Sequence, residues 1–295
     1  MINSILFLAN LFSAGGPFGD FDPHAPGMVA AGAVFLFLVV TGVTACIFVF
    51  RREIKQPADW NELKEQTAAR ALPLLQMLSL IPFLAIFFYA ALFVYKHFYS
   101  NQSPGPEAIL IQAGVLHIPF LISVFIALRL FGKSAAGVFG IGANKLKMIC
   151  TGVLIYLAIL PLIWIFSVVY QLILYFCGQE IFLQDVTAIL AADATWPVRV
   201  ALFVSAIIIA PVFEEIVFRG LLLPAAVRHA GLWPGVIILS LLFGALHWHL
   251  PSFGALVLLS ALLSFAYIRT GSILVPITIH AVFNGVTVLL LMIIS

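Results

Sequence analysis

Pro211-Val-Phe-Glu-Glu-Ile-Val-Phe-Arg-Gly220 places two carboxylates and a guanidinium inside an otherwise apolar run from Val198 to Ala226. The run is longer than the ~20 residues that a membrane-spanning helix needs. Elsewhere in the chain, charges stand at the ends of apolar segments, so this interior cluster breaks the prevailing pattern. A charged side chain at the centre of a membrane helix costs roughly 2.5–3.5 kcal/mol on insertion scales, and such residues mark functional sites by default. Glu215 and Arg219 are four residues apart with the acid first, the favourable order for an intrahelical ion pair. Glu214 projects about 100° around the helix from Glu215, and so needs a partner on another helix.

The whole chain supports a membrane setting. Of its 295 residues, 63% are hydrophobic and 9% are charged, with a mean hydropathy of +1.18. Soluble domains carry about 25% charged residues. These values predict an all-α polytopic transmembrane helical bundle. The net charge of +2 says little about nucleic acid, no basic cluster suggests it, and none is expected as a partner. Cys46, Cys150 and Cys177 stand far apart within or beside apolar runs, without metal-ligand spacing. They are expected as small buried hydrophobes.

Taken in order, Met1–Phe12 is apolar but short and has no basic leader. Ala14–Pro26 is rich in Gly, Pro and Asp, and Asp20, Asp22 and His24 read as a solvated loop. Residues 1–27 are expected to form a short periplasmic or interfacial lead, with Ala14-Gly-Gly as a signal-peptide cleavage site the alternative. Spans are predicted at Met28–Phe50, Ala71–Tyr95, Ala108–Phe131 and Met148–Cys177, the fourth long enough to bend at Pro161. Gly178–Pro197 carries Glu180, Asp185 and Asp193 and has room for a short surface helix. Val198–Val227, Leu232–His247, Phe253–Ile268 and Ile273–Ile294 complete about eight spans, the middle two of these being short. The division is a lead (1–27), an N-terminal set of helices (28–197) and a catalytic core (198–295). Placing Arg51–Arg70 in the cytoplasm puts 11 of the 14 basic residues inside, two outside (Lys96 and Arg199) and Arg219 within the membrane. No internal repeat of the transporter kind is visible.

Three further polar sets lie in the C-terminal spans: Phe243-Gly-Ala-Leu-His247, then His249, then His280-Ala-Val-Phe-Asn284. His280 and Asn284 are one turn apart and share a face. With about 1.5 Å rise per residue, Glu214 lies about 21 Å from the basic boundary, His247 about 24 Å, His280 about 12 Å and Asn284 about 18 Å. The four can therefore converge in one layer. A carboxylate in a water-poor site serves as a general base, with a neutral histidine sharing its water. A second histidine and an amide can donate hydrogen bonds to a developing oxyanion. The same residues also suit a zinc ion held by His247, His280 and a glutamate, with metal-bound water as nucleophile. No serine stands beside a base and no Asp pair lies in the spans, which weighs against serine and aspartyl chemistry. Glu215–Arg219 reads as a structural pair that orients Glu214, and Phe243 as packing beside His247. His117 reads as helix packing, and His249 and His229 as interfacial.

Glu-Glu-x-x-x-Arg at Glu214–Arg219, Phe-x-x-x-His at Phe243–His247 and His-x-x-x-Asn at His280–Asn284, in this order on apolar helices, resemble the CPBP family. That family comprises type II CAAX prenyl endopeptidases and Abi-type, bacteriocin-processing proteins. The resemblance covers about Val198–Asn284. It implies an all-helical intramembrane endopeptidase with an active-site cavity within the membrane, in which Glu214 and His247 activate water while His280 and Asn284 form the oxyanion site. Glu215, Arg219 and Phe243 would support them. It further implies a membrane-associated, possibly prenylated, peptide or protein substrate. No cofactor is expected, with a catalytic zinc as the open alternative. In a bacterium the location would be the inner membrane. Two rivals remain: a non-enzymatic immunity or scaffold protein with the same fold, and a proton-coupled transporter.

Overall fold

The computed structural model describes residues 26–99, 106–179 and 196–294. The leader and its acidic loop, the turn around residues 100–105 and the segment with Glu180, Asp185 and Asp193 lie outside the described residues. Helices α1 (Pro26–Lys55), α2 (Trp60–Ala68), α3 (Leu74–Phe98) and α4 (Pro106–Leu130) come first. They are followed by α5 (Ala135–Phe139), α6 (Lys145–Phe176), α7 (Trp196–Ala230), α8 (Leu232–Leu246), α9 (Leu250–Thr270) and α10 (Leu274–Ile294). Among the described residues there is no strand. Six of these helices (α1, α3, α4, α6, α7, α9) are long and apolar enough to cross a membrane, and α8 and α10 add two shorter apolar stretches. The chain is a multi-pass integral membrane protein.

α9 is longer than the span predicted from Phe253. It starts at Leu250 because Pro251 falls in its first turn, where a missing N–H costs nothing. His249 caps that turn through its ring, accepting from Ser252 N–H at 3.2 Å. Instead of lying free at an interface, His249 is buried. The three cysteines are exposed, against the expectation of burial. In a bilayer the outer surface of the bundle meets lipid tails as apolar as leucine, so a small apolar side chain has no need of the core.

The layers interlock. α1 packs along α6, which in turn packs on α9 and α10. Pro161 inside α6 has no N–H for the Leu157 carbonyl four residues back. Gly42 of α1 lies against that carbonyl, and a methyl there would come within 2.6 Å of it. The helix continues through Pro161 because α1 covers the freed group. At the basic end, Arg70 Nη1 donates to the Gly271 carbonyl at 2.6 Å, and Ile273 N–H to Phe139 O at 2.9 Å. Gly140 takes a left-handed φ of 66°, and a Cβ on it would run into the Gly271 carbonyl. Asp59 caps α2, and Trp60 completes a triangle with Trp233 and Phe265 at centroid distances of 6.0, 6.0 and 5.5 Å. The largest core cluster joins Phe120, Val124 and Leu128 of α4 to Leu221, Leu223 and Val227 of α7 and Val236 and Leu239 of α8.

Candidate active site

α7 carries the glutamates and is irregular on both sides of them. π-helical turns occupy Ser205–Ile209 and Ile216–Leu222, and a third, Gln112–His117, lies in α4 alongside. Each ends two residues before a proline: Pro119, Pro211 and Pro224. The consequence is clearest at the second. Ala210 N–H donates five residues back to Ser205 O, so it does not serve Ala206 O. The next residue is Pro211, which has no N–H. The Ala206 carbonyl is thereby left without a helical donor, and Asn284 Nδ2 of α10 supplies one at 2.8 Å. Asn284 thus ties α10 to the turn before the glutamates.

One helical turn earlier on α10, His280 reaches both glutamates. Its Nδ1 lies 2.8 Å from Glu215 Oε1, and its Nε2 lies 3.9 Å from Glu214 Oε2. Arg219 Nη1 donates to the same Glu215 Oε1 at 2.8 Å. Its Nη2 donates to both the carbonyl (2.9 Å) and hydroxyl (2.7 Å) of Ser260 on α9. Glu215 and Arg219 are fully enclosed, with side-chain exposures of 0% and 1%, whereas Glu214 retains 22%. The guanidinium sits 5.0 Å from the centre of the Phe243 ring, and that ring contacts His247 at 4.8 Å and His280 at 6.0 Å. Phe243 therefore touches both imidazoles and packs against the ion pair, which is more than the wedge expected beside His247. His247 Nδ1 lies 2.7 Å from the Phe243 carbonyl. A carbonyl only accepts, so Nδ1 carries the proton and Nε2 of the neutral ring holds a lone pair.

Two carboxylates share one guanidinium in an apolar layer, where an unpaired charge is costly. Glu215 accepts from Arg219 and from His280 Nδ1–H, and Glu214 Oε2 faces His280 Nε2.

The depths from residue counting set Glu214 and His280 about 9 Å apart along the membrane normal, yet their side chains meet. α7 is 35 residues long, about 52 Å of helix against a hydrocarbon thickness of about 30 Å. It must tilt, bend or project beyond the hydrocarbon, so counting from Arg228 does not fix the depth of Glu214. Ser260 went unrecognised in the sequence. A serine in an apolar helix, 41 residues from its partner, has no periodic or motif signal. His117 of α4 is stacked on Phe213 at 4.2 Å. A cavity of about 290 Å³ between α3 and α4 is lined by Phe88, Leu92, Tyr95, Ile111, Gln112 and Leu116 and by neither glutamate nor any of their partners. Among the described residues, no three His, Cys, Asp or Glu side chains are grouped to hold a metal ion.

The sequence that carries this constellation is similar to that of a known family. Residues 195–286 match the Rce1-like family of type II CAAX prenyl endopeptidases. The Rce1-like segment contains all three motifs and agrees with the resemblance to CPBP proteases. An uncharacterized 24.3 kDa protein of Escherichia coli is 35% identical over 96 residues, 31% of this chain. The chain spans 44% of the length of that curated relative. No solved structure matches.

Proposed function

We propose that this protein is an intramembrane endopeptidase that hydrolyses a peptide bond of a membrane-associated substrate through water activated by Glu214. The observation that carries the reading is the juxtaposition of Glu214 Oε2 and His280 Nε2 at 3.9 Å, with His280 oriented by Glu215. The Rce1-like match supports proteolysis as the reaction class.

In the reactive state Glu214 is the carboxylate and His280 the imidazolium. Glu214 takes a proton from water as the water oxygen bonds to the substrate carbonyl carbon. His280 Nε2–H donates to the oxygen that becomes negative, a favourable interaction in a site of low dielectric. Collapse of the tetrahedral species breaks the C–N bond, and the proton held by Glu214 passes to the leaving amine. His247, with Nδ1–H tied to the Phe243 carbonyl, offers Nε2 as an acceptor for the attacking water. Asn284 has one amide hydrogen bonded to Ala206 O and a second available for the oxyanion. This chemistry uses no metal. The favoured substrates are lipid-modified or membrane-embedded peptides, CAAX-type sequences included. The basic end faces the cytoplasm, which in a bacterium makes the inner membrane its site.

The test is cleavage of a fluorogenic CAAX-type peptide by purified protein in detergent, comparing wild type with Glu214→Gln, each with and without a zinc chelator. Activity that resists the chelator and falls at least about 100-fold in the variant is expected, since a positioned general base contributes roughly 10²–10⁴-fold. Loss on chelation with recovery on added zinc would replace this mechanism with a metal-dependent one.

A further inference from the structure

Glu215 is fixed by hydrogen bonds from Arg219 and His280. Glu214 is not fixed in this way: its Oε2 is buried without a hydrogen-bond partner. Its direction therefore depends on how firmly its own helical turn is held. The residue before it, Phe213, is gripped from α4. The His117 ring stacks on Phe213 with centroids 4.2 Å apart and planes at 20°. Phe120 meets the same ring edge-on at 5.6 Å and 71°. Stacked and edge-on contacts at these separations each contribute about 0.5–1.5 kcal/mol beyond area burial.

His117 is also in an unusual setting. It is 6% exposed, and its Nδ1 is buried with no hydrogen-bond partner. It ends the π turn Gln112–His117, a wide turn that frequently accompanies functional sites. Nothing in this environment uses the imidazole as a donor or acceptor through Nδ1. What the structure uses is the flat ring.

We infer that His117 is a positioning residue for Glu214: by stacking on Phe213 it sets the rotation of the Glu214 turn relative to His280. This rests on the proteolytic reading of Glu214 above. A displacement of about 1 Å at a reacting group costs on the order of 100-fold in rate, so the loss of the clamp is expected to be read in turnover.

The experiment compares wild type, Glu214→Gln, His117→Leu and His117→Phe in the peptide-cleavage assay, with kcat and KM separated and melting temperatures recorded in detergent. Leucine fills the space without a flat face; phenylalanine restores one. His117→Leu is expected to lower kcat by about 10- to 100-fold, with KM changed less than about twofold and the fold retained. His117→Phe is expected to return kcat to within about threefold of wild type. As a readout independent of activity, a fluorine label on the Phe213 ring should shift in His117→Leu and revert in His117→Phe. Unchanged kcat in His117→Leu overturns the inference. So does a His117→Phe variant as slow as His117→Leu, because stacking alone would then be insufficient. So does a kcat loss matched by a proportional loss of folded protein. A wild type without Glu214-dependent cleavage defeats the proteolytic reading instead, and the fluorine shift then still decides whether His117 holds Phe213.

Discussion

Replacing Arg219 by methionine should be among the most damaging single changes in the molecule. The side chain is 1% exposed and makes three hydrogen bonds, to Glu215 Oε1 at 2.8 Å and to the carbonyl and hydroxyl of Ser260 at 2.9 and 2.7 Å. Methionine preserves much of the apolar volume beneath Phe243 but leaves the Glu215 carboxylate with 0% exposure and only His280 to offset it. Breaking a buried pair in this way costs about 3–5 kcal/mol, mostly as the penalty of a stranded charge. At about 2–4 °C per kcal/mol for a chain of this order of size, melting in detergent should fall by about 6–20 °C. The companion Glu215→Gln/Arg219→Met removes both charges while keeping an acceptor for His280 Nδ1–H. It should melt above the Arg219→Met single, with a coupling of about 0.5–3 kcal/mol between the two sites. The measurement is thermal unfolding of the four proteins of this cycle under one detergent condition. A loss below about 1 kcal/mol in Arg219→Met, well under the 3–5 expected of a broken buried pair, or strictly additive effects in the double variant would refute the argument that this pair is an enclosed unit.

Ser260→Ala should lose one of the two contacts to Arg219 Nη2, costing about 1.5–3 kcal/mol as a hydrogen bond to a charged group, read in the same melting assay. Gly152→Ala would place a methyl 2.6 Å from Thr278 Cβ and 2.9 Å from the Val275 carbonyl, forcing α6 from α10. A destabilisation of about 1–3 kcal/mol is expected, together with lower cleavage activity because α10 carries His280. Arg269→Gln should be mild by contrast. Its bridge to Glu53 at 3.1 Å is 34% and 40% exposed, and such pairs contribute about 0–1 kcal/mol, less at high salt.

Hydropathy made the helical bundle legible, since a bilayer requires apolar length and admits few backbone arrangements. The i,i+4 spacing of Glu215 and Arg219 was equally readable, because that contact is made within one helix. The partner of Glu214 was only bracketed. Counting residues assumes straight helices normal to the membrane, and α7 is too long for that. The π turns were hidden, although their marker was present: each apolar run has a proline two residues beyond the widened turn. A proline flags an orphaned carbonyl, but which carbonyl, and whether Asn284 or α1 would cover it, depends on the tertiary contacts. His117 and Ser260 were unreadable as site residues for the same reason, and the cysteines were misjudged because lipid does not reward burial.

The contact between α10 and the glutamates also orders events in synthesis. α7 and α8 emerge before α10, so the glutamates, Arg219 and Phe243 can dock while the position of His280 is still vacant. His280 reaches the glutamates only when α10 packs beside α6 and the turn at Ser205–Ile209, and Asn284 closes on the Ala206 carbonyl. A nascent chain halted before α10 would thus carry Glu214 without the imidazole that faces it, and Glu215 with Arg219 alone.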